Sequence, residues 1–239
     1  MQAGRYVRQE KVLGQKGQDK LAKSSVCIVG CGGLGCPISL YITSSGVGSI
    51  TVIDDDTVSL SNLHRQILFN EHDIGLSKVR VASEKLQKIN SSASIIPVYA
   101  RLNERNIEEY IQNHDLIIVG CDNLPTRYII NDACCKLNIP FINASVQGDE
   151  GSLAFFDIQH GCYRCVFPET PPADILLSSE DAGVLGAMVG VIGTVAATMA
   201  IEILTGNKKS YINKIFRFDS LTLRIKTFPF AQDELCQSC

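Results

Sequence analysis

Short apolar runs alternate with helical periodicities through the first 145 or so positions of this 239-residue chain. Val26-Cys27-Ile28-Val29, Ser49–Ile53, Ile95–Tyr99, Asp115–Val119 and Ile139–Ala144 are each of strand length. Beyond its first residue, Asp115–Val119 is wholly apolar, as a parallel strand covered on both faces would be. Helices are predicted near Gln15–Lys23, after Gly35, and over Ser77–Ile89, Asn106–Gln112 and Leu124–Leu137. Within Ser77–Ile89, the residues Val79, Ala82, Leu86 and Ile89 fall at helical spacing. This alternation predicts an α/β fold, a Rossmann-like and mostly parallel sheet with helices on both faces.

The pattern changes near position 146. Gly151–Asp157, Asn213–Asp219 and Leu221–Phe228 read as strands that extend the sheet in antiparallel fashion. Between the first two lie a loop rich in proline and acid, Pro168–Asp181, and a long apolar segment. That segment, Ala182–Ile201, runs 20 residues without a charge, just enough to cross a bilayer. Gly183, Gly186, Gly190 and Gly193 punctuate it, Asp181 and Glu202 bracket it, and no Lys/Arg collar precedes it. It therefore reads as a helix for close packing inside a soluble protein or dimer. The whole chain is expected to form a single domain, with a nucleotide-binding half at about 1–145 and a second half at about 146–239.

The first βα turn carries chemistry. Gly30, Gly32 and Gly35 occupy the three glycine positions of G-x-G-x-x-G, directly after a strand and at the start of a helix. The first glycine permits the turn, the second lets backbone approach a phosphate, and the third lets helix and strand pack closely. N–H groups at the new helix's start face an anion. The second strand ends in Asp54-Asp55-Asp56, where such folds hold a ribose hydroxyl. The polar run Thr57–Gln66 leaves the sheet on the same side. Lys78 sits at a helix start, where a cation opposes the helix dipole and so suits a ligand's charge better than the helix. Asp122 and Asn123 follow another strand's carboxyl end and point to the same site, although Asp122 also suits a helix cap.

Composition narrows the classes. A net charge of −3 offers no basic field for nucleic acid. The mixed-charge N-terminus, with Arg5, Arg8, Glu10 and Lys11, does not read as a secretory signal. The ten cysteines fall mostly in apolar or helical runs or in C-x-x-C pairs, which implies a reducing, cytoplasmic compartment. Cys162-Tyr163-Arg164-Cys165 and Cys236-Gln237-Ser238-Cys239 together supply four thiolates of the kind that hold structural zinc. A redox dithiol is the other reading of such pairs.

These stretches together resemble the bacterial relatives of the ubiquitin-activating enzymes, the ThiF/MoeB/HesA family. Within it they are most similar to the adenylyltransferases that activate sulfur-carrier proteins in thiamine and molybdopterin biosynthesis. The resemblance runs from Arg5 to Cys239. It rests on Arg5-Tyr6-Val7-Arg8-Gln9, Gly30–Cys36, Asp54–Gln66, Lys78, Asp122-Asn123 with Arg127, the first C-x-x-C, and Ala182-Gly183-Val184. The Ser-Asn-Leu-x-Arg-Gln run at 61–66 and the paired C-x-x-C are its specific parts.

The resemblance implies ATP- and magnesium-dependent adenylation of the C-terminal glycine of a ubiquitin-like sulfur carrier ending in Gly-Gly. Gly30, Gly32, Gly33 and Gly35 would line the nucleotide, and Asp54 would hold the ribose. Ser61 and Asn123 would join the nucleotide site, Asn62, Arg65 and Lys78 would bind phosphates, and Asp122 would hold magnesium. Arg8 would reach the partner subunit's site in a homodimer. Cys162, Cys165, Cys236 and Cys239 would bind zinc. The chemistry agrees: a carboxylate attacks a polyanion and charge grows on departing pyrophosphate, so cations matter more than acid–base groups.

Two positions depart from the family's pattern. Ser179 stands where thiolate-forming members carry cysteine, so a separate sulfur donor is expected. Cys31, Cys36 and Cys121 read as buried small hydrophobes rather than substitutes for it. His64 replaces the usual glutamine before Arg65. Two other functions remain: adenylation of another peptide or acyl partner, and a nicotinamide-dependent oxidoreductase. The second would leave Arg65, Lys78 and the cysteine pairs idle.

Overall fold

The computed structural model describes residues 4–169 and 183–239. Its centre is an eight-stranded sheet in the order β3-β2-β1-β4-β5-β6-β7-β8. The strands are β1 (Ser25–Val29), β2 (Ser49–Ile53), β3 (Ser94–Val98), β4 (Leu116–Val119), β5 (Phe141–Gln147), β6 (Glu150–Phe156), β7 (Lys214–Asp219) and β8 (Arg224–Pro229). Pairing is parallel from β3 through to β5 and antiparallel from β5 to β8. The mixed sheet has the parallel core and antiparallel extension that the sequence implies.

Strand alternation explains the layers. Val26 and Ile28 of β1, with Leu116 and Ile118 of β4, enter one core together with α2 (Gly35–Ser45) and α3 (Lys78–Ile89). Cys27, Val29, Ile117 and Val119 enter the opposite core with α4 (Ile107–Ile111), α5 (Leu124–Leu137) and the short α6 (Tyr163–Val166). The long glycine-rich helix, α7 (Gly186–Thr205), belongs to the first core, against α2, β5 and β6. By length and composition α7 could cross a membrane. A Cβ at Gly193 would come within 2.5 Å of Pro37 and 2.9 Å of the Leu34 carbonyl, so this glycine is what lets α7 lie flush on the start of α2.

Some boundaries differ from expectation for identifiable reasons. The arm forms α1 over Val7–Lys23 rather than 15–23, with a break at Gly14 (φ 69, ψ 163). β5 begins two residues late because Asn138 ends α5 in a left-handed cap, and it runs on to Gln147 because β6 pairs with its far end. β8 starts at Arg224 rather than 221: Leu221 and Thr222 donate N–H groups to Asp219 Oδ1, making the tight turn from β7.

Candidate functional site

The glycine turn lies at the carboxyl end of β1, where β2 and β4 flank it on either side, the crevice in which open α/β sheets bind ligands. Gly30 adopts φ +94, and a Cβ there would meet the Gly120 carbonyl carbon at 3.0 Å. Gly35 packs beneath the loop; its Cβ would sit 1.9 Å from the Gly30 oxygen. Gly32 has only the Gln66 amide at 3.7 Å, so its backbone stays open to the crevice.

Asp54 holds this turn from the neighbouring strand. Its Oδ2 accepts the Cys31 N–H at 2.6 Å and its Oδ1 accepts the Asp56 N–H at 2.8 Å. Burial pushes its pKa up; Lys78 and the two N–H donors pull it back, and it remains above the ordinary carboxylate value. Lys78 is 4% exposed, and its Nζ lies 2.8 Å from Asp56 Oδ2. Arg65 Nη1 donates to the Ser61 carbonyl at 3.1 Å and to His64 Nε2 at 2.8 Å. The histidine that stands in the glutamine position thus props the arginine. At the carboxyl end of β4, Asn123 Oδ1 accepts the Thr126 N–H at 2.9 Å. Asn123, not Asp122, therefore caps α5.

One cleft of about 1090 Å³ brings most of the expected residues together: Gly30, Gly32, Gly33, Asp54, Ser61, Asn62, Arg65, Lys78, Asp122 and Asn123. Gly35 is not on its wall, consistent with its packing position, and Arg8 is exposed on α1 away from it. Ser179 lies outside the described residues. The walls add Arg101, which residue patterns did not single out, and Asp56, Gln66 and Arg127, which lie in the stretches that carry the resemblance without an assigned role. Gln66 is 3% exposed, and among the described residues its Oε1 has no hydrogen-bond partner, nor has the buried Nε of Arg127. The cations and carboxylates that share its wall suit a polyphosphate with a hard, oxygen-bound cation.

The thiols near the cleft are poor nucleophiles. Cys31 and Cys36 are fully buried. The Cys31 thiol is pushed up by the hydrogen bond with Cys36 and by burial, and burial pushes Cys121 up to about 11.

The two C-x-x-C pairs converge beside α5 and α6. Sγ separations are 3.9 Å for Cys162–Cys165, 3.6 Å for Cys162–Cys236 and 3.4 Å for Cys165–Cys239. All four sulfurs lie within 4.8 Å of one another. A tetrahedral zinc with Zn–S bonds of about 2.3 Å has sulfur–sulfur edges of about 3.8 Å, so the cluster fits one ion. A fifth thiol, Cys135 of α5, donates to Asn131 Oδ1 at 3.9 Å and adjoins Cys162. The neighbouring Cys135 is the largest influence drawing the Cys162 thiol down, to about 4.

The ThiF family model matches residues 6–238. The adenylyltransferase and sulfurtransferase MOCS3 of Xenopus laevis is 39% identical over 239 residues, covering 98% of this chain and 53% of that protein. MOCS3-1 of Zea mays is 41% identical over 215 residues, covering 90% of this chain and 46% of that protein. The chain thus spans about half the length of the curated relatives it matches. A crystal structure of E. coli MccB with MccA-N7isoASN superposes with a TM-score of 0.88 at 25% identity, over 99% of this chain and 74% of that one. The match takes in the whole cleft and three of the four clustered cysteines, with Cys239 the next residue beyond it, and the chain belongs to the ThiF family.

Proposed function

We propose that this chain is an adenylyltransferase that uses ATP to activate the C-terminal glycine of a ubiquitin-like sulfur-carrier protein, in molybdopterin or thiamine biosynthesis. The observation that carries the reading is the gathering of the glycine turn, Asp54, Asn62, Arg65, Lys78 and Asp122 in one cleft. The relatives' name, adenylyltransferase and sulfurtransferase, points the same way for the half they share with this chain. In the reaction a glycine carboxylate oxygen bonds to the α-phosphorus, the bridging P–O bond breaks, and pyrophosphate leaves with the electron pair. Arg65 and Lys78 offset the growing charge from fixed positions, so no solvent reorganisation is needed at the moment of reaction. Asp54 receives a ribose hydroxyl, and open backbone at Gly32 approaches the phosphates. Magnesium, held through Asp122, supplies further positive charge to the triphosphate when bound.

The partners follow in the same reading. The protein works as a homodimer in which Arg8 of each subunit completes the other's site. The half at 146–239 takes the carrier and the dimer contact. Exposed Leu221, Leu223 and Ile225 support a protein-binding role there, as does an apolar pocket of about 260 Å³ between α7 and β6–β8. One structural zinc occupies the four-cysteine cluster. Sulfur comes from a separate donor, because Ser179 is a hydroxyl and the nearby thiols are buried or held protonated. All ten cysteines are free of disulfides, which supports a cytoplasmic setting.

The test is ATP–pyrophosphate exchange with and without a carrier ending in Gly-Gly, read together with intact mass in the absence of reductant. Carrier-dependent exchange and a carrier heavier by one AMP are expected. A stoichiometric enzyme–carrier adduct released by dithiothreitol would overturn the separate-donor part. The likeness to MccB crystallised with an MccA derivative favours one other reading, adenylation of a different peptide partner. Exchange that no Gly-Gly carrier stimulates would select it.

A further inference from the structure

One carboxylate reaches into both cysteine pairs. Asp132 lies on α5. Arg164, inside the first C-x-x-C, donates to Asp132 Oδ1 through Nε and to Oδ2 through Nη2, each at 2.7 Å. Ser238, inside the second, donates its hydroxyl to Asp132 Oδ1 at 3.1 Å. The adjoining Asn131 is wholly buried; its Oδ1 accepts the Tyr163 N–H at 2.8 Å, and its Nδ2 donates to Asp132 Oδ1 at 3.0 Å. The Arg164 guanidinium also lies over the Tyr128 ring, 4.7 Å from its centre, which fixes its plane.

We propose that Asp132 is the positioning residue of the four-cysteine metal centre, clasping the two halves of the site in register. This rests on the reading of the cluster as a zinc site. The halves are far apart in the chain, with Cys162 and Cys236 separated by 74 positions. The first is a single helical turn anchored by buried Tyr163, and the second lies in a terminal stretch without regular structure. A bidentate arginine–carboxylate pair constrains both distance and plane. The same carboxylate also accepts from the opposite turn, so the two cysteine turns are tied to one point on α5. Partners beyond the ligands themselves set metal affinity in this way, at about 10- to 100-fold each.

A role in stability alone is the competing explanation. The Asp132 and Arg164 side chains are 44% and 28% exposed, and pairs that open to solvent add little to stability. Such a role would leave zinc affinity unchanged.

The full chain is purified as wild type, Asp132→Ala, Asp132→Asn, Ser238→Ala and the Asp132→Ala/Ser238→Ala double variant. Each is stripped of metal and titrated with zinc alone against a chromophoric chelator. Wild-type protein is expected to bind one zinc. Asp132→Ala is expected to bind it about 10- to 100-fold more weakly, and Asp132→Asn, which keeps acceptor and donor atoms but no charge, falls between. Ser238→Ala is expected to weaken zinc in the wild-type background and add nothing in the Asp132→Ala background. If Asp132→Ala does not fold, Ser238→Ala carries the test by itself. Wild-type protein that binds no zinc overturns the metal reading and this inference with it. Wild-type affinity in Asp132→Ala or, where that variant does not fold, in Ser238→Ala overturns the inference alone.

Discussion

Lys78 shows how a charge is stored in this cleft. A buried ammonium is costly without a partner, and Asp56 supplies one at 2.8 Å from the same wall. Under the proposed reaction the ion pair keeps the cation in place for an incoming phosphate. Arg65→Ala, Lys78→Ala and Asp122→Ala are each expected to lower pyrophosphate exchange by on the order of 10²-fold or more, as for loss of a preorganised charge. Far-UV circular dichroism should be unchanged. Wild-type exchange in all three would remove these residues from the site. Asp54 gives a pH signature. Burial raises its pKa, so nucleotide affinity should fall on acidification at a higher pH than an ordinary carboxylate would give, and Asp54→Asn should flatten the profile. The stability contribution has the opposite slope, present below the ordinary carboxylate pKa and lost as pH rises through the shifted one. Calorimetric titration at several pH values checks both. The placement of the glycines and Asp54 about one turn was legible in the sequence because they belong to one βαβ unit. Asp56 as the partner of Lys78 was not, since 22 positions of chain separate them and only the fold closes the gap.

At the scale of elements, the strands were legible because β1 and β4 are short apolar runs whose alternate residues fill two opposite cores. The first half of α1 was missed: Val7–Gly14 carries no apolar stripe, and its break at Gly14 reads in sequence as an end. Asp132 and Cys135 were also invisible as partners of the cysteine pairs, because nothing in a helix sequence says what its exposed side will meet. The convergence itself has an energetic consequence. An ion joining the pairs closes a loop of 74 positions, and a cross-link of that span constrains the unfolded chain by about 4 kcal/mol. Cys236→Ser/Cys239→Ser, or chelation of the wild type, should therefore lower the melting temperature by on the order of 10 °C. An unchanged transition, with zinc shown to be absent, would leave the cluster without a structural role.

For the whole molecule, the position of Arg8 is informative. It is exposed on α1 and does not reach the cleft of its own chain, as a residue that completes a second subunit's site should be. Arg8→Ala and Asp122→Ala proteins should each be inactive alone. Mixed in equal amounts under exchange of subunits, they should regain about a quarter of wild-type exchange, since half the dimers are mixed and each of those carries one intact site. No recovery from subunits shown to have mixed would confine each site to one chain.

α5 spans about 21 Å at 1.5 Å per residue. Its first turn borders the nucleotide cleft through Asp122 and Asn123, and its flank at Asn131 and Asp132 is tied to the cysteine turns. A rigid rod held at its start and along its flank makes two ligands thermodynamically aware of each other. If zinc favours the placement of this helix that nucleotide also favours, removing zinc must weaken ATP, and ATP must tighten zinc by the same factor, because coupling between binding sites is reciprocal. Zinc affinity measured with and without a non-hydrolysable ATP analogue, beside analogue affinity with and without zinc, closes that cycle. Equal factors above one on both sides make α5 a conduit between the two sites, about 12 Å apart along the helix; factors of one make it only a shared wall.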